Sequence, residues 1–336
     1  MSVAAANAAA AAGTPPSATT AASNLFVAEH TEQAIALGDR LAELVADPDA
    51  FLAALKESLA EIADPAYAAG IRSVTPGLGP VLGVRLPLLS AAHKKFVRGT
   101  RKTSSVLVLD VTDRLLRAEL ADVRWFGMWN LERLLPADPE RSWQLMRRAA
   151  ADSGEWISVD TLAHAYGAGI LREPRRWSEL DQLVYSPSRW ERRLVGSTIA
   201  TLPFAKGAPG ARAPQVAARG LTLIGLLIGD AEPDVQKALS WALRSLTLVD
   251  APAVAAFAEA ETQTARATDD GHRAWVVRDS LSKLPAEAAA RLRGQLDGIR
   301  RRPGAPATSR AAVAAAEFAA AGISGSAPRA TNALEE

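Results

Sequence analysis

Between residues 25 and 302 apolar positions recur every three or four places, separated by short polar or proline-marked breaks. That is the periodicity of helices with one buried face. The breaks DPDAF, DPAYAAG, ADPERS, REPRRWS, SPSRWE, APGARAPQ and AEPDVQ set a proline beside an acidic residue, a serine or an alanine just ahead of an apolar-periodic run. Asp and Ser side chains accept from the unpaired N–H groups of a first helical turn, and proline's fixed φ suits its first position. The runs that follow, among them ADVRWFGMWNLERLL, RSWQLMRRAAA, WISVDTLAHAYGAGIL, SRWERRLVGSTIATL, PQVAARGLTLIGLLI and DVQKALSWALRSL, predict helices of roughly 10–16 residues. No stretch pairs strand-like alternation with hairpin turns, so no strand is predicted.

A long series of helices joined by short turns predicts an all-α fold, an α-solenoid of HEAT-like antiparallel helix pairs with one unit every ~40–47 residues. Such a stack is concave along one edge, and a concave cleft suits an elongated polymer. Residues 1–24, rich in Ala, Ser, Thr and Pro, read as a disordered leader, residues 25–302 as the folded domain, and residues 303–336 as a disordered Ala-rich tail. Within that tail the run 310–321 has helical character but little apolar bulk with which to dock.

Composition narrows the chemistry. The 336 residues are 49% hydrophobic, with eight tryptophans, and 38 basic residues nearly balance 37 acidic ones. A net charge of +1 leaves any basic surface to local segregation. Cysteine is absent, which excludes disulfides, thiolate catalysis and Cys-bound zinc and fits a reducing cytoplasm. His30, His93, His164 and His272 form no close-spaced ligand pair, so no metal is expected. GLGPVLG and IGD lack the lysine or glycine spacing of nucleotide-binding loops, so no cofactor is expected either. The opening segment has no Lys or Arg before residue 40, unlike a secretory signal. LTLIGLLIG is far shorter than the ~20 residues of a membrane span. A monomer free of the membrane is expected.

Three stretches carry chemistry. EWISVD sets Trp156 and Asp160 four places apart, which in a helix brings an aromatic wall and a carboxylate about 5–6 Å apart at Cβ. SRWERR holds Trp190 and Arg193, and DVQKALSWALR holds Trp241. In this order and spacing they resemble the bacterial AlkD-type DNA alkylation repair family, HEAT-like-repeat glycosylases that remove alkylated purines. The family pattern W-x-x-V-D is met by Trp156, Val159 and Asp160, and W-x-x-R by Trp190 and Arg193. Q-K-A-[IL]-x-W-x-L-R is met by Gln236, Lys237, Ala238, Leu239, Trp241, Leu243 and Arg244. GVRLPLLSAAHKKF, DVRWFGMWNLERLL and HRAWVVRDSLSKL extend the likeness over about residues 70–284. The residue after the first tryptophan, commonly Asp or Asn in the family, is Ile157 here.

The resemblance implies a glycosylase that binds double-stranded DNA and hydrolyses the N-glycosidic bond of cationic alkylated purines such as 3-methyladenine and 7-methylguanine. Cleavage builds positive charge on the deoxyribose, and a carboxylate in a partly dehydrated cleft stabilises it and orients water. Asp160 is expected in that role. Trp156 and Trp241 are expected to flank the lesion, since aromatic faces attract cations by ~0.5–2 kcal/mol. Arg193 is expected on a phosphate, and Trp190, Arg192, Lys237, Arg244, Lys94 and Lys95 along the DNA.

Duplex binding needs cations along a groove. HKKFVRGTRK is the densest basic run, and Arg172, Arg175, Arg176, Arg189, Lys206 and Arg212 cluster around the three motifs. HAYGAG adds His164 and Tyr166, as acid or phosphate contacts or as packed side chains. A second function class fits the same fold: a HEAT-like scaffold that binds DNA structures or a protein without chemistry.

Overall fold

The computed structural model describes residues 18–205, 207–208 and 210–322. Among the described residues there are fifteen α-helices, three short 3-10 helices and no strand, as the periodicity predicts. The chain divides into two compact units, one built on residues up to 74 and 79–126, the other on residues 75–78 and from 127 onward.

The first unit holds α1 (Ala18–Glu43), α2 (Pro48–Glu61), α3 (Pro65–Val74), α4 (Leu86–Gly99), α5 (Ser105–Leu116) and the start of α6 (Ala121–Leu134). The break signals work as read: the Asp47 carboxylate accepts from Ala50 N at 3.0 Å ahead of Pro48. Helices α1 and α4 lie so close that a Cβ on Gly38 would stand 2.4 Å from the Ala92 carbonyl. Phe51, Phe96 and Phe126 form the aromatic centre, with ring centroids 5.4 to 6.4 Å apart. The loop ahead of α4 is anchored by Asp122, 0% exposed. Its two carboxylate oxygens accept from Leu82 N at 2.8 Å and Val84 N at 2.9 Å.

Residues 18–24, assigned by composition to a disordered leader, form the first turns of α1. Arg85 holds them: its guanidinium donates to Ser23 Oγ and lies 5.6 Å from the Phe26 ring centroid. Residues 1–17 lie outside the described residues.

The second unit continues with α7 (Pro139–Asp152), α8 (Trp156–Arg172), α9 (Trp177–Leu183), α10 (Arg189–Thr201), α11 (Pro214–Leu227), α12 (Pro233–Thr268), α13 (Gly271–Ser280), α14 (Ala286–Gln295) and α15 (Arg310–Ala320). Here α7 packs on α8, α8 on α10, α10 on α12 and α12 on α13, the succession of a helical solenoid. The middle helix, α10, is buried from Glu191 to Thr201. It sits against α12 so tightly that a Cβ on Gly196 would stand 2.9 Å from Ala238.

Helix α12 outruns its predicted end. It breaks at Asp250 (φ −149°, ψ 85°), whose carboxylate accepts from Ala253 N at 2.9 Å and caps a second helical stretch through Pro252. Helix α15 is likewise docked where composition predicts a tail: Ala311, Ala312 and Ala315 are buried and the helix packs on α11. Small side chains dock by letting backbones approach, which a count of apolar bulk misses. Residues 323–336 lie outside the described residues.

Replacing Asp122 by alanine strands one buried and one partly buried N–H group, and the expected loss is about 3 kcal/mol of unfolding free energy. Urea denaturation checks it; a loss below about 1 kcal/mol would mean that the loop finds other acceptors.

Candidate functional site

Helix α8 begins at Glu155, a buried N-cap whose carboxylate accepts from Ile157 N at 2.5 Å and Ser158 N at 3.0 Å. The cap sets where the helix starts and therefore which residues share a face. Trp156, Asp160 and His164 follow at successive spacings of four, one above another. Trp156 and Asp160 are both half-buried.

Asp160 is gripped from α10. Arg193 donates through Nη2 to Oδ2 at 2.8 Å and through Nε to Oδ1 at 3.1 Å, and Ser197, one turn later, donates to Oδ1 at 2.6 Å. The third edge of the guanidinium donates from Nη1 to the Asp234 carbonyl at 2.7 Å, in the first turn of α12. Its centre lies 6.0 Å from the Trp156 ring centroid. One arginine thus ties α8, α10 and α12 together at the carboxylate. The Arg193 side chain is 7% exposed and that of Asp160 20%, so the ion pair turns its negative end outward. A carboxylate oxygen can accept two hydrogen bonds. Oδ1 already has two donors, whereas Oδ2 has one and keeps a lone pair for water or a cation.

Arg193, expected on a phosphate, pairs in this structure with Asp160. A buried guanidinium needs a counter-charge within the fold, and Asp160 provides it. Arg192, expected along the DNA, is likewise engaged within the fold: it is buried, pairs with Asp230 at 2.7 Å and donates to the carbonyls of Ser186 and Pro187 at 2.8 and 3.1 Å. Arg244 is engaged on α13, 2.6 Å from the Asp279 carboxylate and 2.8 Å from its carbonyl. Arg176 is buried between Glu140 and Glu173 and stacks on Trp143.

The other expected residues divide. Trp190 is half-buried with Arg189 stacked over its ring at 4.8 Å. Trp241 is half-buried on α12, three residues beyond the Ala238 contact with α10, and Lys237 is exposed on the same helix. Lys94 and Lys95 belong to the other unit, on α4; Lys94 is exposed and Lys95 pairs with Asp39 at 3.1 Å. Arg172, Arg175 and Arg212 are exposed, and Lys206 lies outside the described residues.

Tyr166 is core, its ring tilted against Trp143 with centroids 4.8 Å apart, and burial pushes its hydroxyl pKa well above the ordinary range. His164 belongs to the site. Its side chain is exposed, and the protein packed around its base lowers its pKa from the usual imidazole value, against the upward pull of the Glu132 and Asp160 carboxylates.

Sequence reasoning missed Ser197, Asp234 and Glu191. Ser197 had a signal, its i+4 spacing from Arg193. The Asp234 carbonyl had none. Glu191 completes S-x-x-E with Ser188, the spacing of a capping box, yet Ser188 makes no side-chain cap. Glu191 instead accepts from Ser186 Oγ, and burial raises its pKa.

A family model described as DNA alkylation repair enzyme matches residues 55–284, a span that contains Trp156, Asp160, Trp190, Arg193 and Trp241. No curated protein and no solved structure matches the chain.

Replacing Arg193 by alanine leaves a half-buried carboxylate without its partner, and the expected loss is about 3–5 kcal/mol of unfolding free energy. Replacing exposed Lys237 by alanine is expected to cost within about 0.5 kcal/mol. Urea denaturation of both variants separates a structural arginine from a surface lysine, and equal small losses would remove Arg193 from the framework of the site.

Proposed function

The chain belongs to the DNA alkylation repair enzyme family, and from that premise we propose that it binds duplex DNA and hydrolyses the N-glycosidic bond of cationic alkylated purines. Products are the free base and an abasic site. The observation that carries this reading is the outward-turned Asp160 carboxylate with an open position on Oδ2, one turn from Trp156.

A purine alkylated at N3 of adenine or N7 of guanine already carries positive charge. As C1′–N bond breaking begins, the bonding pair moves into the purine, and positive charge moves to the sugar. Asp160 stabilises that charge electrostatically, an effect that grows in a partly dehydrated cleft. Water held at Oδ2 is placed to add its oxygen to C1′, and its proton passes to Asp160 or to solvent. Arg193 keeps the carboxylate from rotating. The half-buried faces of Trp156 and Trp241 flank the lesion, each worth ~0.5–2 kcal/mol to a cation. Exposed Lys237 and Arg189 supply the salt-dependent attraction to phosphate. The protein acts as a cytoplasmic monomer without a cofactor.

One observation favours the second reading, a scaffold that binds DNA or a protein without chemistry: Asp160 already accepts three hydrogen bonds. Single-turnover release of 3-methyladenine and 7-methylguanine from duplex DNA, quantified by chromatography, separates the two. Asp160→Asn is expected to slow release at least about 100-fold, with duplex affinity within about twofold. Duplex binding without release by the parent protein would establish the scaffold instead.

A further inference from the structure

The family match ends at residue 284, yet the chain after α14 returns to the framework of Asp160. Residues 299–309 run over the ends of α11, α12 and α13. Thr308 N donates to the Gly229 carbonyl at 2.8 Å, and Thr308 Oγ1 donates to the Asp270 carboxylate. His272 Nε2 meets the Ala305 carbonyl at 3.2 Å. The seat is close-fitting: a Cβ on Gly229 would stand 2.1 Å from Thr308 Oγ1, and one on Gly271 2.1 Å from the Arg300 carbonyl. Arg301 stacks on Trp275 at 4.5 Å and donates through Nη1 to Gln236 Oε1 at 2.8 Å.

Gln236 is 0% exposed, and its amide has one workable orientation. Nε2 donates to the Asp230 carbonyl at 2.5 Å and meets His272 Nδ1 at 3.1 Å, while Oε1 accepts from Arg301. A flipped amide would set Oε1 against the Asp230 carbonyl, acceptor against acceptor. Arg301, by donating to Oε1, reinforces the orientation in which Nε2 holds the turn before α12. That turn contributes both partners of the consecutive arginines, the Asp230 carboxylate to Arg192 and the Asp234 carbonyl to Arg193.

We propose that residues 299–309 are a positioning element of the site: Arg301 orients the Gln236 amide, Gln236 holds the turn 230–234, and the turn aims Arg193 at Asp160. Arg301 and Gln236 are positioning residues, since neither touches Asp160. The inference rests on the reading of Asp160 as the catalytic carboxylate only for its effect on rate, not for the relay itself.

The test uses the full chain with Arg301→Ala, Arg301→Lys, Gly271→Ala and, as a control in the same segment, Arg302→Ala, which removes only a surface pair with Asp269. Solvent exchange of the Arg193 Nε–H, followed by NMR, reads the relay without any reaction. Single-turnover base release and duplex affinity read its consequence. Arg301→Ala and Gly271→Ala are expected to speed that exchange about tenfold and to slow release about tenfold, with affinity within about twofold. Arg301→Lys, which restores a donor to Oε1, is expected to recover most of both, and Arg302→Ala to change neither. Unchanged Arg193 exchange in Arg301→Ala overturns the relay even if release slows. Faster exchange in a protein that releases no base upholds the relay and overturns the proposed glycosylase activity. Should Gly271→Ala fail to fold, Arg301→Ala and its lysine rescue carry the decision, because Arg301 lies at the surface.

Discussion

Burial of two consecutive guanidinium groups on α10 is the constraint around which the second unit is arranged. Adjacent helical residues project about 100° apart, so Arg192 and Arg193 point in different directions and draw on different carboxylates. Arg192 takes Asp230, 38 residues downstream, and Arg193 takes Asp160, 33 residues upstream. A buried charge without its partner costs several kcal/mol. Helix α8, helix α10 and the turn before α12 therefore pack in the one register that presents both acids. Desolvation offsets much of the attraction within each pair, so the arginines select a geometry more than they add net stability. The close approach of Gly196 to Ala238 holds the same register from the apolar side.

Much of the fold was legible because helix periodicity and helix starts are local properties. The run 156–171 corresponds to α8, and proline at the head of α7, α11 and α12 marks their first turns. The departures have tertiary causes. Nothing within residues 18–24 favours order, but Arg85, more than sixty residues away, supplies a docking point. Helix α15 has only alanines to bury, and its success depends on a surface of α11 shaped to receive them. The second helical stretch after Asp250 starts at a kink where the Asp250 carboxylate caps it.

Of the site, the Trp156 and Asp160 stripe was readable from spacing alone, because one helix carries both. The basic residues were not, since a sequence shows charge without its partner. Arg176, Arg192 and Arg193 look like groove cations in REPRRW and SRWERR, and each is an internal ion pair. Their acids lie in other helices or turns, and only the fold decides that those partners are nearer than a phosphate would be. Lys237 and Lys94, by contrast, are exposed.

The same pairing decides what Asp160 can offer a cation. An isolated carboxylate would attract positive charge as a monopole; opposite unit charges 4 Å apart interact by about 4 kcal/mol at an effective dielectric of 20. Paired with Arg193 it acts as a dipole, whose field falls off faster and depends on orientation. Orientation is what the fold supplies: the guanidinium is the deeper partner and the carboxylate the shallower. A charge arriving at the open lone pair of Oδ2 meets the negative end first, with the guanidinium behind it. It need not displace Arg193, because Nε and Nη2 keep their hydrogen bonds while Oδ2 accepts a second. The arrangement favours a group whose positive charge comes within direct reach of Oδ2 over one that is merely cationic at a distance.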